Sequence, residues 1–190
     1  MQIVREAENV AINENMPVLL ALGNFDGVHC GHKRLISAMV NRARMRQGTA
    51  AAFIFDPHPA AILTPDKAPR MLVTPERKAE LLQRLGLDLL VYHSFTEVIA
   101  RWSPEEFVQR ILVDCFKASE VFIGFNYSFG HRGSGTPELL KTLGEKYGFE
   151  THILPPVVMA DEVVSSSLVR VCLEQGNVDK AYQMLGYYPD

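Results

Sequence analysis

Short apolar runs recur along the chain, and the longer segments between them carry helical periodicity. The predicted strands are Gln2–Val4, Val18–Leu22, Ala50–Phe55, Leu87–Tyr92, Glu120–Ile123 and Thr151–Leu154. A short apolar run without polar alternation is typical of a parallel strand that is covered on both faces. Because these runs alternate with helical segments, the pattern predicts an α/β fold in which a parallel sheet has helices on both faces.

Helix-start and helix-stop signals mark the segments between the strands. Thr74-Pro75-Glu76 places an N-cap residue before a proline and an acid, and Ser103-Pro104-Glu105-Glu106 has the form of a capping box. Gly48 is placed to end the first helix. The predicted helices cover about 31–46, 75–85, 104–116 and 137–147, with one more after the serines at 165–167 and a last one at about 178–185.

Four unusual loops each follow the carboxyl end of a predicted strand. They are residues 23–32, 56–60, 124–135 and 155–167. In open parallel sheets, ligands bind outside the carboxyl ends of the strands, so we expect the four loops to build one site. The first half of the last loop, 155–162, shows neither helical nor strand periodicity, and we expect it to be a flexible lid.

The composition narrows the class of protein. The 190 residues are 47% hydrophobic and can bury a core of ordinary size, so we expect a single domain over 1–190. The net charge of -3 gives no reason to expect a nucleic-acid partner, and no apolar run is long enough to suggest a membrane partner. Three cysteines, Cys30, Cys115 and Cys172, form no C-x-x-C pair, which favours a reducing, cytoplasmic location.

The most informative stretch is Leu22–Lys33, which reads LGNFDGVHCGHK. A strand, a glycine-rich turn and a helix in this order direct backbone N–H groups and the helix dipole at a phosphate. His29 and His32 are placed on one face of the first helical turn, and Gly31 between them lets a ligand approach the backbone. Two solvated histidines are the alternative interpretation. The helix N-terminus is also expected to lower the thiol pKa of Cys30.

The His-x-Gly-His pattern after a strand resembles the signature of the nucleotidyltransferase superfamily. Four ordered segments resemble one family within it, the FMN adenylyltransferase module of the prokaryotic bifunctional riboflavin kinase/FMN adenylyltransferase, or FAD synthetase. They are residues 23–32, 55–59, 124–130 with Gly133, and 164–170. Two positions depart from the common pattern, since Asn126 and Ser167 stand where many members carry Asp and Thr.

The resemblance implies a Rossmann-like nucleotidyltransferase fold and a reaction in which AMP passes from ATP to FMN, giving FAD and pyrophosphate with the help of Mg²⁺. Members normally carry a fused riboflavin kinase domain, which we expect to be absent from 1–190. Two alternatives stay open: a related nucleotidyltransferase with another acceptor, such as nicotinate mononucleotide, and a non-catalytic flavin-binding module.

The resemblance also implies roles for individual residues. The implied catalytic residues are His29, His32, Asn126 and Arg170. The implied ATP-binding residues are Gly23, Asn24, Phe25, Asp26, His29, Gly31, His32, Ser165, Ser166, Ser167 and Arg170. The implied FMN-binding residues are Phe55, Pro57, Pro59, Asn126, Tyr127 and Phe129. Mg²⁺ would be bound mainly through the phosphates, with Asn126 as a protein group that could reach it.

Structural roles are the alternatives for several of these residues. Asp26 and Asn126 could serve the turns in which they lie, and Phe55 could belong to the ordinary core. One of the serines at 165–167 is expected to cap the helix that follows, and a cap at Ser166 would put Arg170 in the first turn of that helix. Arg170 could be a solvated helix residue.

Overall fold

The computed structural model describes residues 1–188 and contains a six-stranded parallel sheet. Its strands are β1 (Gln2–Arg5), β2 (Val18–Leu22), β3 (Thr49–Phe55), β4 (Leu89–His93), β5 (Ala118–Gly124) and β6 (Glu150–Leu154). The spatial order is β1-β4-β3-β2-β5-β6. The chain therefore moves outward from β2 in one direction to β3 and β4, and in the other direction to β5 and β6. In such sheets the point where the strand order reverses is the usual place for a ligand.

Helices cover both faces of this sheet. They are α1 (Cys30–Met45), α2 (Pro59–Leu63), α3 (Pro75–Arg84), α4 (Pro104–Phe107), α5 (Pro137–Tyr147), α6 (Ser166–Glu174) and α7 (Val178–Leu185). Among residues 1–188, no helix combines the length and the apolar character that crossing a membrane requires.

The central strand explains the continuous apolar pattern. Side chains alternate across a strand, so Leu19 and Ala21 pack on one face of the sheet while Val18, Leu20 and Leu22 pack on the other. All five are buried. The expected doubly covered parallel sheet is confirmed, including the short strand at the start of the chain, which pairs with β4 at the edge of the sheet.

The predicted helix starts are confirmed at the caps. The side chains of Thr74, Ser103 and Thr136 each accept a hydrogen bond from the backbone N–H three residues later, and Ser103 with Glu106 forms the full capping box. At the end of α1 the prediction for Gly48 was wrong. Gln47 adopts the left-handed conformation there, with φ 52°, and a Cβ on Gly48 would lie 2.5 Å from the carbonyl oxygen of Pro17. Gly48 is thus required by a close backbone approach.

Three elements differ from the sequence prediction. The first is α2 (Pro59–Leu63), a short helix in a segment for which no helix was predicted. The predicted third helix is α-helical only over Pro104–Phe107 and continues as a π-helix over Val108–Cys115. Its buried residues Val108, Ile111 and Leu112 still follow ordinary helical spacing, so the periodicity does not reveal the wider turn. Residues 155–162, predicted as a lid without regular structure, contain most of an antiparallel hairpin formed by β7 (Val158–Met159) and β8 (Glu162–Val163). Strands of two residues are too short to produce an alternating pattern.

A glycine in the middle of α5 provides a test of this packing. Ala at an exposed helix position is more favourable than Gly by about 1 kcal/mol. A Cβ on Gly144, however, would lie 2.6 Å from the carbonyl oxygen of Phe149 and 2.9 Å from Oγ1 of Thr151. We therefore expect Gly144→Ala to lower the free energy of unfolding by about 1–3 kcal/mol, as overpacking does, when urea unfolding is measured. Thr142→Ala, at an exposed position of the same helix, is the control and should change stability by no more than about 0.5 kcal/mol.

Candidate active site

The four loops predicted to form one site surround a single cavity of about 860 Å³ at the carboxyl ends of the strands. It lies against the ends of β2 and β5, where the strand order reverses. Fifteen of the predicted site residues line it: Gly23, Asn24, Phe25, Asp26, His29, Gly31, His32, Phe55, Pro59, Asn126, Tyr127, Phe129, Ser165, Ser166 and Ser167. Pro57 and Arg170 are outside this lining.

The two histidines are in direct contact with each other. His29 is the N-cap of α1, and its Nδ1 accepts a hydrogen bond of 3.3 Å from the backbone N–H of His32. The two rings stack with their centroids 3.6 Å apart. Gly31 lies close to this pair, and a Cβ there would make a tight contact of 3.1 Å with the His29 ring. Since Nδ1 of His29 is an acceptor, the proton of the neutral ring resides on Nε2, which leaves one N–H donor for a ligand.

Both imidazoles are held in the neutral form. Burial lowers the pKa of His29 to about 4, against a weaker opposing effect of Asp26. The pKa of His32 is lowered well below its ordinary value, first by burial and then by His29 and Lys78. Among residues 1–188, Nδ1 of His32 is the buried side-chain polar atom that has no hydrogen-bond partner. The alternative of two solvated histidines is wrong for His29, which is 5% exposed.

Asp26 is the structural centre of the signature loop, by which we mean residues 23–28. Its carboxylate is buried and accepts hydrogen bonds from the backbone N–H of Leu72, at 3.0 and 3.1 Å, and from Arg170 at 2.5 Å. Its backbone carbonyl accepts a hydrogen bond of 2.8 Å from the hydroxyl of Ser166. The expectation that one of the three serines caps α6 is confirmed, and the cap is Ser165, which accepts from the N–H of Leu168. Ser166 instead connects α6 to the signature loop.

The guanidinium of Arg170 has protein partners and is not part of the cavity lining. Besides its contact with Asp26, its Nε donates to the carbonyl oxygen of Arg70 at 2.7 Å. Arg170 is therefore not a solvated helix residue. Its predicted contact with phosphates stays a prediction.

The other end of the cavity is aromatic. Phe55 packs against Phe95, with ring centroids 5.0 Å apart, and Tyr127 stacks on Phe129 at 5.8 Å. Phe107 lies between the two pairs, 6.0 Å from Phe55 and 5.8 Å from Phe129. Pro59, Ile62 and Leu63 at α2 extend this apolar lining. Pro57 is exposed and does not line the cavity, so its predicted FMN contact stays a prediction.

Sequence reasoning missed Lys78, Phe95, Phe107, Ile62 and Leu63. Lys78 is 4% exposed and donates from Nζ to the carbonyl oxygen of Asn24 at 2.9 Å. A usable signal existed, since Lys78 precedes the buried Leu81 and Leu82 by three and four residues and thus belongs to the inward face of α3. Burial lowers the pKa of Lys78, while Asp26 and Asp56 act to raise it.

Cys30 does not have the properties expected of it. Burial raises the pKa of its thiol, and this effect outweighs the backbone groups at the start of α1. Its Sγ lies 3.9 Å from Sδ of Met159 in the β7–β8 hairpin. The thiol therefore packs against the β7–β8 hairpin and is not an activated nucleophile.

Within residues 1–188, two groups of side chains have the spacing of metal ligands, and both lie outside the cavity lining. They are Glu6 with Glu8 and His93, and Glu120 with Glu150 and His152. Nδ1 of His93 already accepts from the N–H of Ala7, and Glu120 is paired with Arg42 and Arg46. In the cavity itself, the Asp26 carboxylate is occupied by its own partners, which leaves the exposed amide of Asn126 as an available oxygen ligand.

The parallel sheet, the switch-point cavity and the histidine pair at the start of α1 together define an α/β protein with the Rossmann-like nucleotidyltransferase fold. The family within this class follows from comparison with known sequences. The model of the FAD synthetase family matches residues 11–168, and the chain belongs to this family.

Individual relatives agree with this assignment. The chain is 33% identical over 175 residues to a bifunctional riboflavin kinase/FMN adenylyltransferase of Bacillus subtilis, a match that covers 91% of the chain and 54% of the relative. A protein of the same name from Buchnera aphidicola subsp. Schizaphis graminum is 29% identical over 98% of the chain and 60% of its own length. The chain thus spans little more than half of the curated relatives it matches.

Solved structures share the fold. A protein from Streptococcus pneumoniae described as a macrolide-efflux protein matches with a TM-score of 0.84 and 24% identity, over 98% of this chain and 70% of that one. A pantoate-beta-alanine ligase from Francisella tularensis matches with a TM-score of 0.61 and 18% identity, over 98% and 80%. At these identities the likeness concerns the fold alone.

The buried histidines predict how stability depends on pH. The folded protein keeps His29 neutral down to about pH 4, whereas a histidine in the unfolded chain binds a proton near pH 6.5. The unfolded state therefore binds more protons between these values, and we expect the free energy of unfolding to fall as the pH is lowered through this window. For His29 the loss at pH 5 amounts to about 2 kcal/mol. Urea unfolding at pH 7 and pH 5 measures it.

Two variants separate the contribution of His29 to this pH dependence from the contributions of other titrating groups. His29→Gln should lose less stability between the two pH values than the wild type does. His131→Gln, which changes an exposed histidine at the cavity, should lose as much as the wild type. Equal losses in the wild type and His29→Gln would contradict a buried, neutral His29.

Proposed function

We propose that the protein is an FMN adenylyltransferase, which transfers AMP from ATP to FMN and forms FAD and pyrophosphate. One observation carries the proposal: a single cavity joins a polar end, built by the signature loop and the starts of α1 and α6, to an apolar end built by aromatic rings. The product FAD needs both environments, because its phosphates require polar groups and its isoalloxazine ring requires apolar ones.

The polar end suits the triphosphate of ATP. The starts of α1 and α6 offer backbone N–H groups and the positive ends of two helix dipoles. His29 contributes its Nε2 proton, and His32 contributes a ring whose Nδ1 has no partner among residues 1–188. The approach of a polyanion favours protonation of both rings, since an opposite charge offsets the effect of burial on the pKa. Backbone groups of Gly23, Asn24, Phe25 and Asp26 frame the nucleotide.

The aromatic end suits the isoalloxazine ring of FMN. A flat tricyclic ring favours stacking and edge contacts of the kind that Phe55, Tyr127 and Phe129 offer. Pro59 adds an apolar wall, and Asn126 lies on the same loop as the two aromatic residues. This loop begins at the end of β5, next to β2, so it brings the flavin site to the strand that carries the signature loop.

The reaction requires positioning and charge stabilisation and no protein nucleophile. An oxygen of the FMN phosphate attacks the α-phosphorus of ATP, a new P–O bond forms, and the bond between the α-phosphorus and the bridging oxygen breaks as pyrophosphate leaves. His29 and His32 stabilise the negative charge that develops on the α-phosphate and on the leaving group. Ser165, Ser166 and Ser167 place the start of α6 beside the same phosphates.

Mg²⁺ fits this site as an ion carried by the phosphates. The cavity lining offers the Asn126 amide as an oxygen ligand and, within residues 1–188, no cluster of acidic groups. This donor set suits a cation that keeps several of its waters. When bound, the ion supplies charge neutralisation on the phosphate oxygens, and Asn126 would be its protein ligand.

We further propose that the chain corresponds to the adenylyltransferase part of its bifunctional relatives and acts in the cytoplasm. Under this proposal, the riboflavin kinase named in those relatives belongs to the portion that the chain does not match.

Product analysis with two acceptors tests the activity. We expect the protein with ATP and Mg²⁺ to convert FMN into FAD and to form no dinucleotide from nicotinate mononucleotide, because a charged pyridine would leave the aromatic end of the cavity largely unfilled. Chromatography of the products gives the answer. A dinucleotide from nicotinate mononucleotide would indicate a related nucleotidyltransferase, and flavin binding without any product would indicate a non-catalytic module. We also expect no conversion of riboflavin into FMN, and the appearance of FMN from riboflavin and ATP would contradict this expectation.

The histidine pair should be needed for the rate of FAD formation. We expect His29→Ala and His32→Ala each to raise the activation free energy by about 2–4 kcal/mol, the effect of losing a donor at a developing negative charge. Steady-state kinetics with circular dichroism as a folding check measures this. His131→Ala, at the rim of the same cavity, is the control and should keep most of the activity. Wild-type rates in both variants would exclude the phosphate role of the pair.

A further inference from the structure

The signature loop has an unfavourable backbone conformation. Phe25, Gly27 and Val28 all adopt positive φ, at 47°, 77° and 40°. Glycine tolerates this region, but a β-branched residue such as Val28 is a genuine outlier there. Such conformations persist only where the surroundings enforce them, and they concentrate at ligand-binding sites. The contacts that hold the signature loop in this conformation therefore bear on the function of the site.

Side chains from three distant parts of the chain hold three of the carbonyl groups of this loop. Lys78 of α3 donates to the carbonyl oxygen of Asn24 at 2.9 Å, and Ser166 of α6 donates to that of Asp26 at 2.8 Å. The hydroxyl of Tyr187, after α7, donates to that of Gly27 at 2.7 Å. Each anchor occupies a carbonyl on one of the loop residues and thereby fixes the orientation of the adjoining peptide plane.

Lys78 is the least expected of these anchors, because it places a full charge in the interior. The side chain is 4% exposed. Among the residues described, its Nζ atom has one hydrogen-bond partner, the neutral carbonyl of Asn24, and no carboxylate in direct contact. Asp26, the nearest buried carboxylate in the loop, is already paired with Arg170. A buried ammonium without its own counter-ion is unfavourable, and a methionine of similar length would fill the same space without that penalty.

The ammonium of Lys78 can donate a hydrogen bond to the backbone of the signature loop, which a methionine at this position could not do. Lys78 is not part of the cavity lining, so it does not contact a ligand there directly. It holds Asn24, which does line the cavity and whose side-chain amide lies 3.0 Å from Nε2 of His58 in the neighbouring loop. Its charge also acts on His32 and His58, whose pKa values it helps to lower, although burial is the main cause for both.

We propose that Lys78 is a positioning residue for the ATP site, which acts by holding the carbonyl group of Asn24 and so fixing the backbone of the signature loop. The proposal rests on the proposed function in that ATP is the ligand of this loop. Because α3 contributes nothing to the aromatic end, Lys78 affects ATP binding and leaves FMN binding unaffected.

Calorimetric titration of two variants and a control tests this role. In Lys78→Met we expect the dissociation constant for ATP–Mg²⁺ to rise at least tenfold and that for FMN to stay within twofold of the wild type. Lys78→Arg keeps a charged donor for the same carbonyl and should bind ATP more tightly than Lys78→Met does. Lys141→Met removes an exposed lysine from α5 and should change neither constant. Urea unfolding of all four proteins shows whether any loss reflects general destabilisation.

The outcomes separate positioning from structural support. A selective loss of ATP binding, with a free energy of unfolding close to that of the wild type, supports the proposal. ATP binding within twofold of the wild type in Lys78→Met overturns it, as does a parallel loss of ATP and FMN binding with lowered stability. Lys78→Arg binding as weakly as Lys78→Met would contradict the role of the charged donor.

The proposed function fails by a different result. A wild-type protein that binds ATP and makes no FAD refutes the adenylyltransferase activity, while the comparison of the lysine variants keeps its meaning. A wild-type protein that makes FAD, with Lys78→Met binding ATP normally, refutes the role of Lys78 alone. A wild-type protein that binds no ATP refutes both.

Discussion

The buried carboxylate of Asp26 is the constraint on which the candidate site depends. It lies where β2 ends and α1 is about to begin, and it joins Arg170 of α6 and the backbone of Leu72 to the signature loop. A buried carboxylate is tolerated only when it is paired, and removing one partner of such a pair costs about 3–5 kcal/mol. The signature loop, the segment before α3 and the start of α6 are therefore held together by one charge.

This arrangement keeps the net charge at the polar end of the cavity small, although basic side chains lie at and behind it. Arg170 is neutralised by Asp26, and His29 and His32 stay neutral because they are buried. The unliganded site thus carries little net charge, while its histidines can take up protons when a polyanion approaches. In a site of low dielectric constant, those charges act more strongly on a phosphate than they would at an exposed surface.

The sequence predicted some parts of the chain and missed others for identifiable reasons. Caps such as Thr74 and Ser103 were found because capping is a local interaction between residues three apart. The π-helical turns at Val108–Cys115 were missed because the pattern of buried residues is the same as in an α-helix. The raised pKa of Cys30 was missed because burial is decided by distant elements, including the hairpin that carries Met159.

The sequence by itself determined the parallel sheet, the order of its helices and the four loops that meet at the carboxyl ends, because hydrophobic periodicity and turn residues act over a few neighbouring positions. It also placed His29 and His32 on one face, since their spacing matches one helical turn. Only the tertiary structure decided that Arg170 pairs with Asp26 and that the inward-facing Lys78 donates to the carbonyl group of Asn24. Such contacts join residues far apart in the chain, and their partners depend on how the helices pack on the sheet, which no local pattern encodes.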